Sequence, residues 1–212
     1  YASVQQHIGQ IQSKISQSMI MDVWTNNHLG YVPITKNAST SWVRVFADLG
    51  WQLTQLDLID PVIPIFGHFR DPIERHFAGT AEFLCQNGIP HLVDDPVWQQ
   101  VWIKGVMDMH SYPVTWAMGE HAQRCHWIPM HDGLDVDYLT RDYLARSGIR
   151  AGTIPRLNES DPFKRQLCLK LRTLHEKIDA HNHLSWFYDS DIVLWNSLFP
   201  YVDADNQWHT IY

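Results

Sequence analysis

The segment Tyr31-Val-Pro-Ile-Thr-Lys-Asn-Ala-Ser-Thr-Ser-Trp42 constrains this chain more than any other. A short apolar run reads as a buried strand. It passes through small polar residues around one lysine and into a helix. A strand that feeds a helix N-terminus commits its surroundings to a layered α/β arrangement. It also leaves the first backbone N–H groups of the helix unpaired, at the positive end of the helix dipole. Lys36 adds a full charge, and Ser39, Thr40 and Ser41 add hydroxyl donors. The segment therefore reads as an anion site for phosphate or sulfate. The alternative is a simple helix cap by Ser39 or Thr40, with the helix starting near Trp42. The common phosphate loop, G-x-x-x-x-G-K-S/T, is excluded because no glycine lies between Tyr31 and Leu49.

A second segment has the same form. Val62-Ile-Pro-Ile-Phe-Gly67 reads as a strand and runs into His68-Phe-Arg-Asp-Pro-Ile-Glu-Arg-His-Phe-Ala78. Asp71 suits a helix N-cap and Pro72 the first turn. Arg70 then stands at the carboxyl end of a strand, where ligands of open α/β sheets bind. Lys36 and Arg70 together make a two-point clamp for a molecule with two anionic groups. The competing reading of Arg70 is an ion pair with Asp71 or Glu74.

With both junctions in view, Lys36-Asn-Ala-Ser-Thr-Ser-Trp and Phe69-Arg-Asp-Pro-Ile-Glu-Arg75 resemble the two nucleotide-binding signatures of sulfotransferases that use 3′-phosphoadenosine 5′-phosphosulfate (PAPS). The likeness is to the carbohydrate, Golgi-type branch (sulfotransferase family 2-like). Asp108-Met-His-Ser-Tyr-Pro113 is similar to that family's D-x-H-x-x-P segment. Ile154-Pro-Arg-Leu-Asn-Glu-Ser160 is similar to its P-x-L-N-x-S stretch, and Trp186-Phe-Tyr-Asp-Ser-Asp-Ile192 to its L-Y-x-x-D helix. The likeness runs from about Gly30 to about Phe199. It implies a P-loop-like sulfotransferase fold with PAPS as co-substrate. Lys36, Asn37, Ala38, Ser39, Thr40 and Ser41 would hold the 5′-phosphosulfate, and Arg70 the 3′-phosphate. The family usually places a serine eight residues after that arginine, and position 78 here is Ala. Arg156, Lys164 and Arg165 are the candidate cations that would share the 3′-phosphate instead.

Sulfuryl transfer is an in-line displacement that needs positioning and fixed positive charge more than covalent chemistry, by analogy with phosphoryl transfer. Lys36 is the candidate for stabilising the leaving phosphate oxygen, and no metal is expected. The acceptor hydroxyl must lose a proton to a base. His110, which matches a family histidine, is the first candidate, followed by Asp57 and Asp60 and then His68. Trp98 and Trp102, four residues apart, share a helix face. With Trp116 they read as a core stripe ahead of a sugar platform. The acceptor implied is a carbohydrate or another small hydroxyl compound. Two alternatives stand beside this reading. One is a non-catalytic binding protein on the same fold. The other, less favoured, is a small-molecule kinase.

The 212 residues suit a single α/β domain. A net charge of −7 argues against a nucleic-acid-binding face. Cys85, Cys125 and Cys168 form no C-x-x-C pair, so neither a zinc site nor a disulfide frame is expected. No apolar run reaches the ~20 residues of a membrane span. Together with the cysteine usage and a sequon, Asn37-Ala-Ser39, that would set a glycan in the site, this points to a cytoplasmic location. Ile8, Ile11, Ile15 and Met19 recur at helical spacing, which predicts an amphipathic helix over residues 3–21, within an N-terminal segment 1–25 available for homo-oligomerisation. Strands are expected over 29–35, 62–67 and 125–129. Helices are expected over 40–48, 72–86, 96–109, 113–122, 140–147, 161–183 and 185–198. The expected architecture is α/β, with a small central parallel sheet flanked by helices.

Overall fold

The computed structural model describes residues 21–37, 39–103, 109–131, 134–152, 154, 161–178 and 181–198. Five strands form one sheet: β1 (Asp22–Thr25), β2 (Gly30–Val32), β3 (Gln52–Gln55), β4 (Ile65–Arg70) and β5 (Cys125–Met130), in the order β3-β1-β2-β4-β5. β2, β4 and β5 are parallel, while β1 runs antiparallel to both β2 and β3. The sheet is therefore mixed, which corrects the expectation of a purely parallel one. The parallel half is the part that sequence reasoning anticipated. The added strands are only four residues long, too short for a periodic signal. β3 is a mostly exposed edge strand, Gln52-Leu-Thr-Gln55, and β1 falls where the N-terminal segment 1–25 was expected to be helical. The helix expected over residues 3–21 lies outside the described residues, apart from Met21, which precedes β1.

The helices are α1 (Ser39–Asp48), α2 (Pro72–Gln86), α3 (Pro96–Trp102), α4 (Val114–Met118), α5 (His121–Arg124), α6 (Val136–Arg146), α7 (Pro162–Lys177), α8 (His181–Phe187) and α9 (Asp189–Leu198). α1 begins at Ser39, so the small hydroxyl residues form its first turn. It stops at Gly50, whose φ of +77° suits a left-handed terminus. The bonds Trp51 N–H to Phe46 C=O and Gly50 N–H to Ala47 C=O close that end as a Schellman turn. α2 starts as its sequence predicts. Asp71 accepts from the N–H groups of Ile73 and Glu74, both at 2.9 Å, and Pro72 occupies the first turn.

β4 is buried on both faces, as a central parallel strand should be. Phe66 and His68 point to the side covered by α1 and α6, where Tyr31, Trp42, Phe46 and Leu144 pack. Ile65 and Phe69 point to the other side, with Val114, Met118, Ala122 and Trp127. A third apolar cluster joins α2 to α3, α7 and α8. Trp98 and Trp102 belong to it, stacked at 5.8 Å and almost fully buried, so they form core as expected. Trp116 differs, being 52% exposed.

The segments of residues 70–75, 109–113 and 186–192 interlock behind the sheet edge. Arg75 is buried and donates to the carbonyls of His110 and Tyr112. The hydroxyl of Tyr188 donates to the Ser111 carbonyl and accepts from His76 Nδ1. Asp191, fully buried, accepts from Val114 N–H, Thr115 N–H and the Thr115 hydroxyl, which caps α4 from a distant helix. Burial disfavours the Arg75 charge, and Tyr188 and Asp191 act against that shift. Gly79 allows α2 to come this close. A Cβ there would lie 2.6 Å from the His110 carbonyl oxygen and 2.9 Å from Ser111 N. Both atoms are backbone and cannot swing away. Gly79→Ala should therefore destabilise the fold by about 1–3 kcal/mol, read as a lower urea midpoint with an unchanged slope; an unchanged midpoint would contradict this packing.

Candidate functional site

β2 and β4 pair in parallel with Gly30 opposite Ile65, Tyr31 opposite Phe66 and Val32 opposite Gly67. Their carboxyl ends are therefore neighbours. β2 leads to the loop of Lys36 and Asn37 and then to α1, while β4 ends on Arg70 and leads to α2. Both strand-to-helix junctions named from sequence thus open at one sheet edge. Both helices begin at that end of the sheet, with Arg70 just before one of them, while the Lys36 side chain reaches along α2 to Glu82.

The loop is held by the strand beside it. Asn37 is fully buried, and its Nδ2 donates to the His68 carbonyl at 2.7 Å. Its role in the structure is to tether the loop to β4. Its Oδ1 has no partner among the described residues. Lys36 has a φ of +65°, a left-handed conformation uncommon for a side-chain-bearing residue and frequent at functional turns. Ala38 lies outside the described residues. Ser39 and Ser41 are half-buried and Thr40 is exposed, all in the first turn of α1. No acidic residue occupies that turn to satisfy the helix end.

The two carboxylates that competed for Arg70 are both engaged elsewhere. Asp71 caps α2, and Glu74 accepts from Arg172 at 2.6 Å. Among the described residues the half-buried Arg70 guanidinium has no hydrogen-bond or ion-pair partner. Lys36 is differently placed. Its Nζ lies 2.6 Å from Glu82 Oε2, and the same oxygen accepts from Lys164 Nζ at 2.8 Å. The hydrogen bonds from Lys164 and Lys36 hold the Glu82 carboxyl down at about 2, against a desolvation penalty that acts the other way.

Glu74, Ala78 and Glu82 form an i, i+4 row on α2. Glu74 and Glu82 bond Arg172 and Lys164 of α7, so the two helices run antiparallel with Ala78 between the bridges. Cys168, midway on the facing row of α7, donates to the Phe77 carbonyl at 3.8 Å. Burial pushes its thiol pKa up, and the charges of Arg70, Glu74, Lys36 and Arg172 act on it. Lys164 is the one late cation of the sequence reading that the described residues bring to Lys36. Arg156 lies outside them, and Arg165 is exposed on α7.

The base candidates separate. His110 sits half-buried in a short 3-10 turn, Met109–Ser111, with its carbonyl against α2 at Gly79. His68 is fully buried. The Thr140 hydroxyl donates to the Val136 carbonyl, so it accepts from His68 Nε2–H at 2.8 Å, and His68 Nδ1 accepts from Tyr31 at 3.1 Å. Burial takes the His68 pKa down to about 3, so it is a neutral structural linker and no base. Asp57 lies 3.2 Å from His121, in a 3-10 turn after β3 at the far edge of the sheet from β5. Glu82 was absent from the sequence reading. Its partners are 46 and 82 residues away, a separation that no local pattern reports.

Among the described residues, no group of three or more His, Cys, Asp or Glu could hold a metal ion, and no helix is long and apolar enough to cross a membrane. The three cysteines are free thiols. Comparison with known proteins gives no match: no protein-family model, no curated protein and no solved structure matches the chain.

Titration of these groups sets the acid stability. His68 and His76 are both depressed to about 3 by burial, from 6.5 in the unfolded chain. The unfolded chain binds their protons first, so stability should fall as pH drops from 6.5 toward about 3. Glu82, also depressed, contributes stability above 4.5 that is lost as pH falls toward about 2. Glu82→Gln should lower stability by about 1–2 kcal/mol at neutral pH. Urea titrations at stepped pH should show this gap closing below 4.5. A gap that persists unchanged into acid would contradict the ion-pair assignment.

Proposed function

We propose that this chain is a PAPS-dependent sulfotransferase with a P-loop-like fold, transferring a sulfuryl group to a hydroxyl of a carbohydrate or small acceptor. The observation that carries the reading is the pairing of β2 with β4. It sets the first turn of α1 and Arg70, which has no hydrogen-bond or ion-pair partner among the described residues, at one end of the sheet. Two separate strand-to-helix junctions, each with its own donors, suit a ligand with two anionic groups. The 5′-phosphosulfate would lie on the amides and hydroxyls of Ser39, Thr40 and Ser41, and the 3′-phosphate on Arg70.

In the reaction, the S–O bond to the 5′-phosphate breaks and a new S–O bond forms to the acceptor oxygen. The electron pair of the broken bond remains on the phosphate oxygen. Lys36 and the α1 amides stabilise that developing charge. The acceptor proton goes to His110, the strongest remaining candidate base. Glu82 is unsuited to that task, because a carboxyl held at about 2 is a weak proton acceptor at neutral pH. The fixed positive charge supplied by Lys36 and Arg70 is what the chemistry chiefly needs, and no step calls for a metal.

Thermal unfolding in the presence of 3′-phosphoadenosine 5′-phosphate (PAP) tests the reading. At about 100 times the dissociation constant, the ligand should add about 2.7 kcal/mol, a rise of several degrees in Tm. ATP with Mg²⁺ should add little. A rise with ATP–Mg²⁺ alone would favour a kinase, and no rise with either would favour a non-catalytic descendant. Arg70→Ala should weaken PAP binding about 10- to 100-fold, the loss of a charge-assisted contact of about 1.5–3 kcal/mol. Lys36→Ala should abolish sulfuryl transfer while the circular dichroism spectrum stays native; retained turnover would show that the loop is not catalytic.

A further inference from the structure

Lys36 and Lys164 meet on a single oxygen. Glu82 Oε2 accepts 2.6 Å from one ammonium and 2.8 Å from the other, while Oε1 accepts from Gln86 Nε2 at 2.8 Å. The contacts tie together three separate elements: the loop after β2, the third turn of α2 and the first turn of α7. The carboxylate is the more covered partner. Its side chain is 13% exposed, against 23% for Lys36 and 33% for Lys164. Both lysines therefore keep a solvent-facing side on which a second anion can approach. One oxygen receiving two ammonium groups is also the arrangement that a phosphate or sulfate oxygen takes when it bridges two lysines.

Lys164 lies in the first turn of α7, beside the N-cap carboxylate of Asp161. The hydrogen bond to Glu82 of α2 is the largest influence raising its pKa, and the Asp161 charge adds to it. The other bridges on α7, Lys170–Asp94 and Arg172–Glu74, are more exposed and each use their own carboxylate. The two lysines and Glu82 together leave one net positive charge.

We propose that Lys164 is a second lysine of this anion site, and that Glu82 is an internal counter-anion which the two lysines exchange for the oxygens of an anionic ligand. This rests on the anion-site reading of the β2–α1 junction, and it adds a residue and a competitor that reading does not contain. Because the Glu82 carboxyl stays ionised throughout the neutral range, the exchange is driven by ligand and not by protons.

Inorganic pyrophosphate, titrated by calorimetry at fixed ionic strength, is the probe. A contact carboxylate that competes for both lysines lowers affinity, so Glu82→Gln should bind pyrophosphate about tenfold more tightly than the unsubstituted protein, although its own Tm is lower. Glu82→Asp should restore near-native affinity. Lys164→Met, which leaves Lys36 and Glu82 paired, should bind about tenfold more weakly. A purely structural salt bridge would lower Tm in Glu82→Gln with equal or weaker binding, and that result overturns the proposal. Failure of pyrophosphate to bind any of these proteins overturns it as well. If Glu82→Gln does not fold, Lys164→Met decides, and unchanged affinity there counts against the proposal. PAP binding tests the sulfotransferase proposal separately. A protein that binds pyrophosphate with the expected order of affinities but does not bind PAP would retain the counter-anion and lose the nucleotide.

Discussion

The parallel pairing of β2 with β4 is the constraint on which the rest depends. Three residue pairs, from Gly30–Ile65 to Val32–Gly67, bring two strand ends to one edge. Everything of chemical interest follows from what each strand does next. One turns through Lys36 into α1, and the other ends on Arg70 and enters α2. The register is protected on both faces. Phe66 and His68 bury against α1 and α6, while Ile65 and Phe69 bury against α4 and α5. Slippage by one residue would exchange those two sets of side chains and break the packing on both faces.

Behind this edge the molecule is tied by polar groups that are buried and committed. His68 bridges Tyr31 to Thr140 as a neutral ring, and Asn37 fastens the loop to the His68 carbonyl. Arg75, Tyr188 and Asp191 bind the 109–115 segment from two directions. Buried groups of this kind are costly unless paired, so such a network resists rearrangement. The site itself is looser. Its cations are half-exposed, and its salt links run across α2 and α7 rather than into the core. A rigid frame that presents partly solvated cations suits the recognition of a polyanionic ligand.

The sequence carried the parts of this fold that are local. Asp71 and Pro72 announced the start of α2, and the apolar run before Arg70 announced β4, although the strand proper begins three residues later than its pattern suggested. Trp98 and Trp102 were legible as core from their spacing alone. The antiparallel strands β1 and β3 were not, because four residues give no period and the edge strand is largely polar. Arg70 could be placed at a strand end, but its freedom from Asp71 and Glu74 depended on Arg172, a residue of α7 far along the chain. Glu82 was invisible for the same reason. A carboxylate shared by two lysines is a tertiary event, and only α2 packed against α7 brings it about.

The proposed binding of two anionic groups of one nucleotide at one end of the sheet is open to a direct test in a crystal structure of the protein grown with PAP. Density is expected for the 5′-phosphate against the backbone amides of Ser39, Thr40 and Ser41, and for the 3′-phosphate within hydrogen-bonding distance of the Arg70 guanidinium. Nucleotide bound away from the β2–α1 and β4–α2 junctions, or a bound nucleotide whose 3′-phosphate ignores Arg70, would contradict it.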